Sequence, residues 1–421
     1  MNRIAIAALS TLGAIGAMGA LGSAAAQEIS EASDTTRFLL DSALFVAAGL
    51  GAVLMIFALG LRDIALGWEE SGRAICLRTI GLIAVAVIAY WVCGHQLTFD
   101  IEAAGLLGDF AVWRANDIDP LSEGVSSGAV FFFYAMCAGL IAALVSSAVS
   151  ERVKLWSFLV FVGALTAVIF PIIGSWVWGG GYLSAVWRFT DLGGAAVIHI
   201  SAGAAALGAA IVVGPRPGRF ARGHRAGLAS PALPLAGIAT GLVLIGQVFL
   251  LAGLHGSYST IDSAITLGAM MPRYWLAVAG GVGAALIVTR FVFHEIDLYT
   301  ILSAAMAGAV AIAADPVNPA LWQAVMIGAG GGVIATVAPP FLERYKIDDA
   351  AGVAPTHFFA GAWGALIVPW TNAESSFLGQ LVGVAAISSF ALVTSTLAWL
   401  SLKYTIGARE RMATETRYAA S

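Results

Sequence analysis

A helix needs about 20 apolar residues to cross the hydrocarbon core of a bilayer, and this chain offers eleven such runs. They fall at about 38–61, 74–95, 127–149, 156–177, 192–213, 233–254, 272–293, 299–314, 322–341, 352–370 and 377–402. The eighth is the shortest and ends at Asp315-Pro316, which places that end at a membrane surface. With 11% of 421 residues charged and 59% hydrophobic, the chain cannot dress a water-facing surface. Its 49 glycines suit helices that approach closely in lipid. The fold class these features predict is an all-α polytopic membrane protein: one membrane domain over 36–405 and a short cytoplasmic tail at 406–421. A net charge of -4 gives no basic footprint for nucleic acid.

Residues 1–26 read as a cleavable signal peptide rather than a retained first helix. Arg3 supplies the positive start, Ile4 to Leu21 the apolar stretch, and Ala24-Ala25-Ala26 the small residues before a cut at Gln27. Cleavage leaves the mature N-terminus outside the cytoplasm, and eleven spans then put the C-terminus inside. Of the 21 Lys and Arg residues, Arg3 belongs to the leader and sixteen fall in segments placed inside. Only Arg37, Arg114, Arg188 and Arg273 fall outside, a strong positive-inside bias that fits the inner membrane. The longest outer loop, about 96–126, is acidic. The cysteines, Cys76, Cys93 and Cys137, all lie in apolar runs, where buried structural thiols are expected rather than a disulfide or metal cluster.

Two segments repeat one pattern: an aspartate, seven residues, a histidine, two residues and Ala-Gly-Ala. The first runs from Asp191 through His199 to Ala204, the second from Asp349 through His357 to Ala362. They fall on the fifth and tenth runs, so the repeating unit is five helices, and an odd-numbered unit inserts its second copy upside down. Eight residues of helix carry each histidine about 12 Å from its aspartate. From opposite surfaces, both imidazoles arrive near the membrane centre. A histidine inside a membrane helix is costly and faces a partner or a cavity; His199 and His357 are expected to meet as a shared pore-lining pair. Neither has a cysteine or carboxylate at ligand spacing, so no metal or other cofactor is expected. Asp191 and Asp349 read as caps at helix starts, and Asp191 also as the group orienting an outer cation site.

These residues resemble the ammonium transporter family. The stretch Asp191 to Arg216 is similar to its signature, and other segments agree in order: Trp91 to Phe99, Ser150-Glu151-Arg152, Trp178 to Gly181, and Asp348 through His357. The likeness spans roughly 36–407. It implies an eleven-helix homotrimer with one pore per subunit, which recruits ammonium outside, removes its proton and conducts ammonia past twin histidines, His199 and His357. Trp178 and Phe133 fall where the family places the aromatic recruitment site, although Trp178 also reads as an interfacial belt residue. An apolar pore excludes the bare ion by its desolvation cost and admits ammonia.

Some family positions differ. One gate phenylalanine is Leu250, the other falls near Met136 or Cys137, and a hydrogen-bonding serine is Leu254, with Phe249 adjacent as a compensating ring. Losing that serine oxygen removes an acceptor worth about 1.5–3 kcal/mol to a dehydrating cation. The aspartate expected five residues before the second histidine is Gly352, and Phe358 replaces a glycine. Docking of a PII-type regulator is implied by resemblance, but only Gly407-Ala408-Arg409 of the family's tail is present. Three functions follow from these residues: an ammonium transporter, an ammonium-sensing receptor without net flux, or a channel for another small neutral molecule. No nucleophile–base pair or metal set suggests an enzyme.

Overall fold

The computed structural model describes residues 2–67, 71–220 and 232–410, with side chains from Ser33 onward. Side chains of the leader, Arg222, Arg225 and the tail beyond Glu410 lie outside those residues. Among the described residues nine helices are long and apolar enough to cross a membrane: Ser33–Leu66, Gly72–Phe99, Ser127–Ala148, Leu155–Trp187, Ala195–Val213, Leu233–His255, Ile261–Phe291, Leu321–Arg344 and Phe377–Thr405. Each matches an expected apolar run. The other two runs are helical but short. One is Leu298–Ile312; the other divides into a π-helix Ala354–Phe359, an α-helix Ala360–Ile367 and a 3₁₀ turn Val368–Trp370.

One boundary differs instructively from the sequence reading. The seventh apolar run was expected at about 272–293. The helix instead starts at Ile261, where Thr260 and Ser263 cap each other's backbone N–H groups. It runs through Pro272, and just past that proline Arg273 Nη1 donates to the Ala269 carbonyl at 2.6 Å.

Small residues let the helices pack. Ile261–Phe291, Leu298–Ile312 and Leu321–Arg344 form one three-helix unit, in which Gly281 faces the Ala304 carbonyl and Gly328 the Ala277 carbonyl. Such contacts replace the hydrophobic driving force that lipid cannot supply. The helix ending at Leu66 packs along Leu233–His255, and Ser201–Val213 along Phe377–Thr405. Of the cysteines, Cys137 is buried and Cys93 partly so, but Cys76 is exposed, because its position on Gly72–Ala89 points away from the bundle.

The two ends of the bundle are tied differently. At one, Asp41 accepts from Ser257 Oγ, Ser259 Oγ and the Tyr258 amide, and Leu192 and Gly193 donate their amides to Ala314 and Ala313. At the other, charge dominates. Arg216 forks onto Asp348 (2.9 and 3.0 Å) and reaches Glu151 at 2.8 Å. Arg152, fully buried, donates to the carbonyls of Asp348 and Gly214. Burial alone would raise the Asp348 carboxyl; the hydrogen bonds and charge of Arg216, with Arg152 behind, hold it below the usual carboxylate value. Burial lowers Arg152 to about 10 against the pull of Asp348. The segment after Phe377–Thr405 joins the same cluster: Lys154 N donates to Ala408 O and Glu410 N to Arg152 O.

Candidate functional site

Both repeat motifs open on the same backbone device. Gly194 lies three residues after Asp191 with φ +79°, and Gly352 three residues after Asp349 with φ +67°. That left-handed turn favours glycine, and it brings each carboxylate under the start of its own helix. Asp191 Oδ2 accepts from the amides of Ala196 (3.0 Å) and Val197 (2.8 Å), and Asp349 Oδ2 from that of Ala354 (2.7 Å). The aspartates therefore cap. Gly352, a departure from the family pattern, occupies a position whose backbone suits glycine.

Each capped segment begins as a π-helix, Ala195–Ile200 and Ala354–Phe359. π-Helical turns are uncommon and cluster at functional sites. Here each carries a motif histidine: His199 is completely buried and His357 is 3% exposed. Their Nδ1 atoms stand 3.1 Å apart, with ring centroids 5.1 Å apart and planes inclined by 23°. The glycines of the Ala-Gly-Ala triplets make that approach reciprocal. A Cβ on Gly203 would lie 2.5 Å from the Phe358 amide nitrogen, and one on Gly361 2.9 Å from the Ala195 carbonyl. Each motif's glycine thus seats the π-helix of the other.

Sequence reasoning missed a third side chain here. Gln247, on Leu233–His255 and 2% exposed, places Nε2 3.3 Å from His199 Nε2 and 3.4 Å from the Ala309 carbonyl. Nothing flagged it, since it belongs to no repeat.

On the Asp191 side, Trp178 is half-buried among rings. Tyr134 lies 5.5 Å from it and Phe170 5.9 Å, edge-on. Phe133, the expected member, is fully buried one layer back, 4.9 Å from Tyr134 and 5.6 Å from Phe45. The ring facing Trp178 is therefore the next residue, Tyr134, a hydroxyl-bearing group the sequence reading did not name. Leu250 is fully buried, whereas Phe249 is 41% exposed and packs beside Gly51. One residue of helical rotation puts Phe249 outside, so it does not replace a gate ring. Leu254 is packed close to Gly194, the turn that starts the His199 segment. On the Asp349 side a cavity of about 590 Å³ is lined by Arg216, Tyr299, Ser303, Asp349, Gly352 and Thr356, directly before His357. Among the described residues no three His, Cys, Asp or Glu side chains are placed to hold a metal ion.

Residues 43–417 match the model of the Ammonium Transporter Family. The chain belongs to the ammonium transporter family. It is 29% identical over 394 residues to the ammonium transporter Amt2 of Archaeoglobus fulgidus, covering 85% of this chain and 82% of that protein. Among solved structures it is similar to a protein described as Sensor Amt Protein, with a TM-score of 0.82 at 25% identity over 90% of this chain and 96% of that one. Candida albicans Mep2 shares the fold with a TM-score of 0.78 at 20% identity, over 90% of this chain and 88% of Mep2. The protein is thus a multi-pass membrane protein of a transport family.

Proposed function

We propose that this protein conducts ammonia derived from ammonium across the inner membrane, removing the ion's proton on the way. The reading takes the eleven apolar segments as an inverted five-plus-five repeat, with the leader cleaved, the Asp191 side outside and the C-terminus in the cytoplasm. Trp178 and Tyr134 offer aromatic faces to an arriving cation, Leu250 forms an aliphatic gate below them, and His199 and His357 take the proton. Ammonia leaves through the cavity beside Thr356. The functional unit is a homotrimer with a pore in each subunit, as family membership implies.

The observation that carries this reading is the 3.1 Å approach of two buried imidazoles on repeated motifs. Two neutral rings at that distance share one proton, one nitrogen donating and the other accepting. The reciprocal glycine contacts supply a reason for the repeat. The decisive measurement is current across proteoliposomes after an ammonium pulse. Wild type should respond, and His199→Ala should lose most of the current or change its dependence on proton supply. A silent wild type overturns the transport reading; a current unchanged by the substitution removes His199 from it.

A second reading has a specific observation behind it. The neighbour described as a sensor is 25% identical, and here the gate position is a leucine with Phe249 turned outward. Under that reading the same site binds ammonium without net flux and signals through a partner. Ammonium-dependent stabilisation in detergent with no proteoliposome current would select it.

A further inference from the structure

Gln247 is a buried primary amide in an otherwise apolar stretch of helix, and such a group is costly unless its hydrogen bonds are made. Its orientation is set by the Ala309 carbonyl, which only accepts. Near the end of Leu298–Ile312 the Ala313 amide turns back to Val310 O, so Ala309 O lacks its usual helical partner and is open to the Gln247 N–H. The same Nε2 faces His199 Nε2, which must then be bare. A neutral imidazole with bare Nε2 carries its proton on Nδ1, 3.1 Å from His357 Nδ1. His199 is therefore the donor and His357 the acceptor, and the remaining proton of His357 sits on Nε2.

We propose that Gln247 is a positioning residue that fixes the histidine pair in this single tautomeric arrangement and opposes its protonation from the Trp178 side. The inference rests on the transport reading above. For ammonium to deliver its proton, an N–H bond of the ion breaks and one forms at His199 Nε2, releasing ammonia. The Gln247 N–H occupies that lone pair and must withdraw first. The imidazolium then passes its Nδ1 proton to His357 Nδ1, and His357 sheds its Nε2 proton to water in the cavity beside Thr356. The pair is left with protons on His199 Nε2 and His357 Nδ1, the arrangement in which Gln247 and His199 would set donor against donor. The amide thus works against both the entry step and its product, while holding the resting pair in register.

The test uses the full-length protein reconstituted in bilayers with ¹⁵N-labelled histidine, as wild type and as Gln247→Met, a similar volume without a donor. Wild type should show His199 with bare Nε2 and protonated Nδ1, and Gln247→Met a mixture of both tautomers. Ammonium-driven current in Gln247→Met should rise about three- to tenfold, the rate equivalent of one ordinary hydrogen bond. If the methionine variant does not reach the membrane, Gln247→Leu takes its place. A single unchanged tautomer in the variant overturns the assignment. Mixed tautomers with a current at or below that of an active wild type overturn the opposition to protonation. Mixed tautomers with no current in any protein, wild type included, support the positioning role and overturn the transport reading instead.

Discussion

Gly203 and Gly361 are the residues through which the backbones of the two histidine motifs approach each other. Any side chain on Gly203 meets the Phe358 backbone, so Gly203→Ala must push the two motif segments apart. Overpacking of this kind costs about 1–3 kcal/mol, and it should lower thermal stability in detergent together with ammonium-driven current. Gly241 has nothing within 4 Å of its would-be Cβ, so Gly241→Ala is expected to be neutral or slightly stabilising in the same measurement. At this scale the sequence was informative where it repeated itself. His199 and His357 were legible because two aspartate–histidine spacings coincided, each closing on an Ala-Gly-Ala triplet. Gln247 and Tyr134 were not, because a lone glutamine in an apolar helix and one aromatic among four consecutive ring residues, Phe131 to Tyr134, carry no positional signal. Helical rotation selects Tyr134 over Phe133 and Leu250 over Phe249, and rotation depends on packing partners that no single segment encodes.

Helix starts, not helix lengths, set the site. Asp191 and Asp349 were legible as caps from their place before an apolar run, but not the wide π turns that follow, which have no hydropathy pattern of their own. Because Asp191 accepts the backbone N–H groups five and six residues on, and Asp349 the one five residues on, removing either carboxylate should free those donors inside the bundle. Asp191→Ala is expected to cost about 1–2 kcal/mol, the upper range for a cap, and Asp191→Asn less, since its amide oxygen still accepts. If capping is the whole role, Asp191→Asn also keeps most of the current. A loss as complete as that of the alanine variant assigns the charge itself to cation recruitment. The extent of Ile261–Phe291 shows the converse limit. There the apolar run began at about 272, and a capping box at Thr260 and Ser263 starts the helix well before it.

Across the whole molecule, arginines stitch helix termini together at one charged end. Asp348 is the hub, held by Arg216 and approached by Arg152, so Asp348→Asn should destabilise the solubilised protein by about 3–5 kcal/mol, as expected when a buried pair loses one partner. Its folded-state pKa is depressed, so this stability is fully present above the ordinary aspartate value near 3.8 and is lost as pH falls through the lower, folded value. The gap between wild type and variant in thermal unfolding should therefore stay constant from neutrality to about pH 4 and close below it. The pairing of the charges was invisible in the sequence, because Glu151, Arg216 and Asp348 lie far apart along the chain and only the folded bundle joins them. The reciprocal seating of the two motifs also bears on biogenesis. A chain made from its N-terminus has laid down His199 and its π turn 158 residues before His357 exists, and until then Gly203 lacks the Phe358 backbone it packs against. The middle of this bundle is therefore expected to close last, as about the final sixth of the chain joins helices already in the membrane. A ribosome-stalled chain ending before residue 354 should be inserted yet remain open to protease at the His199 segment.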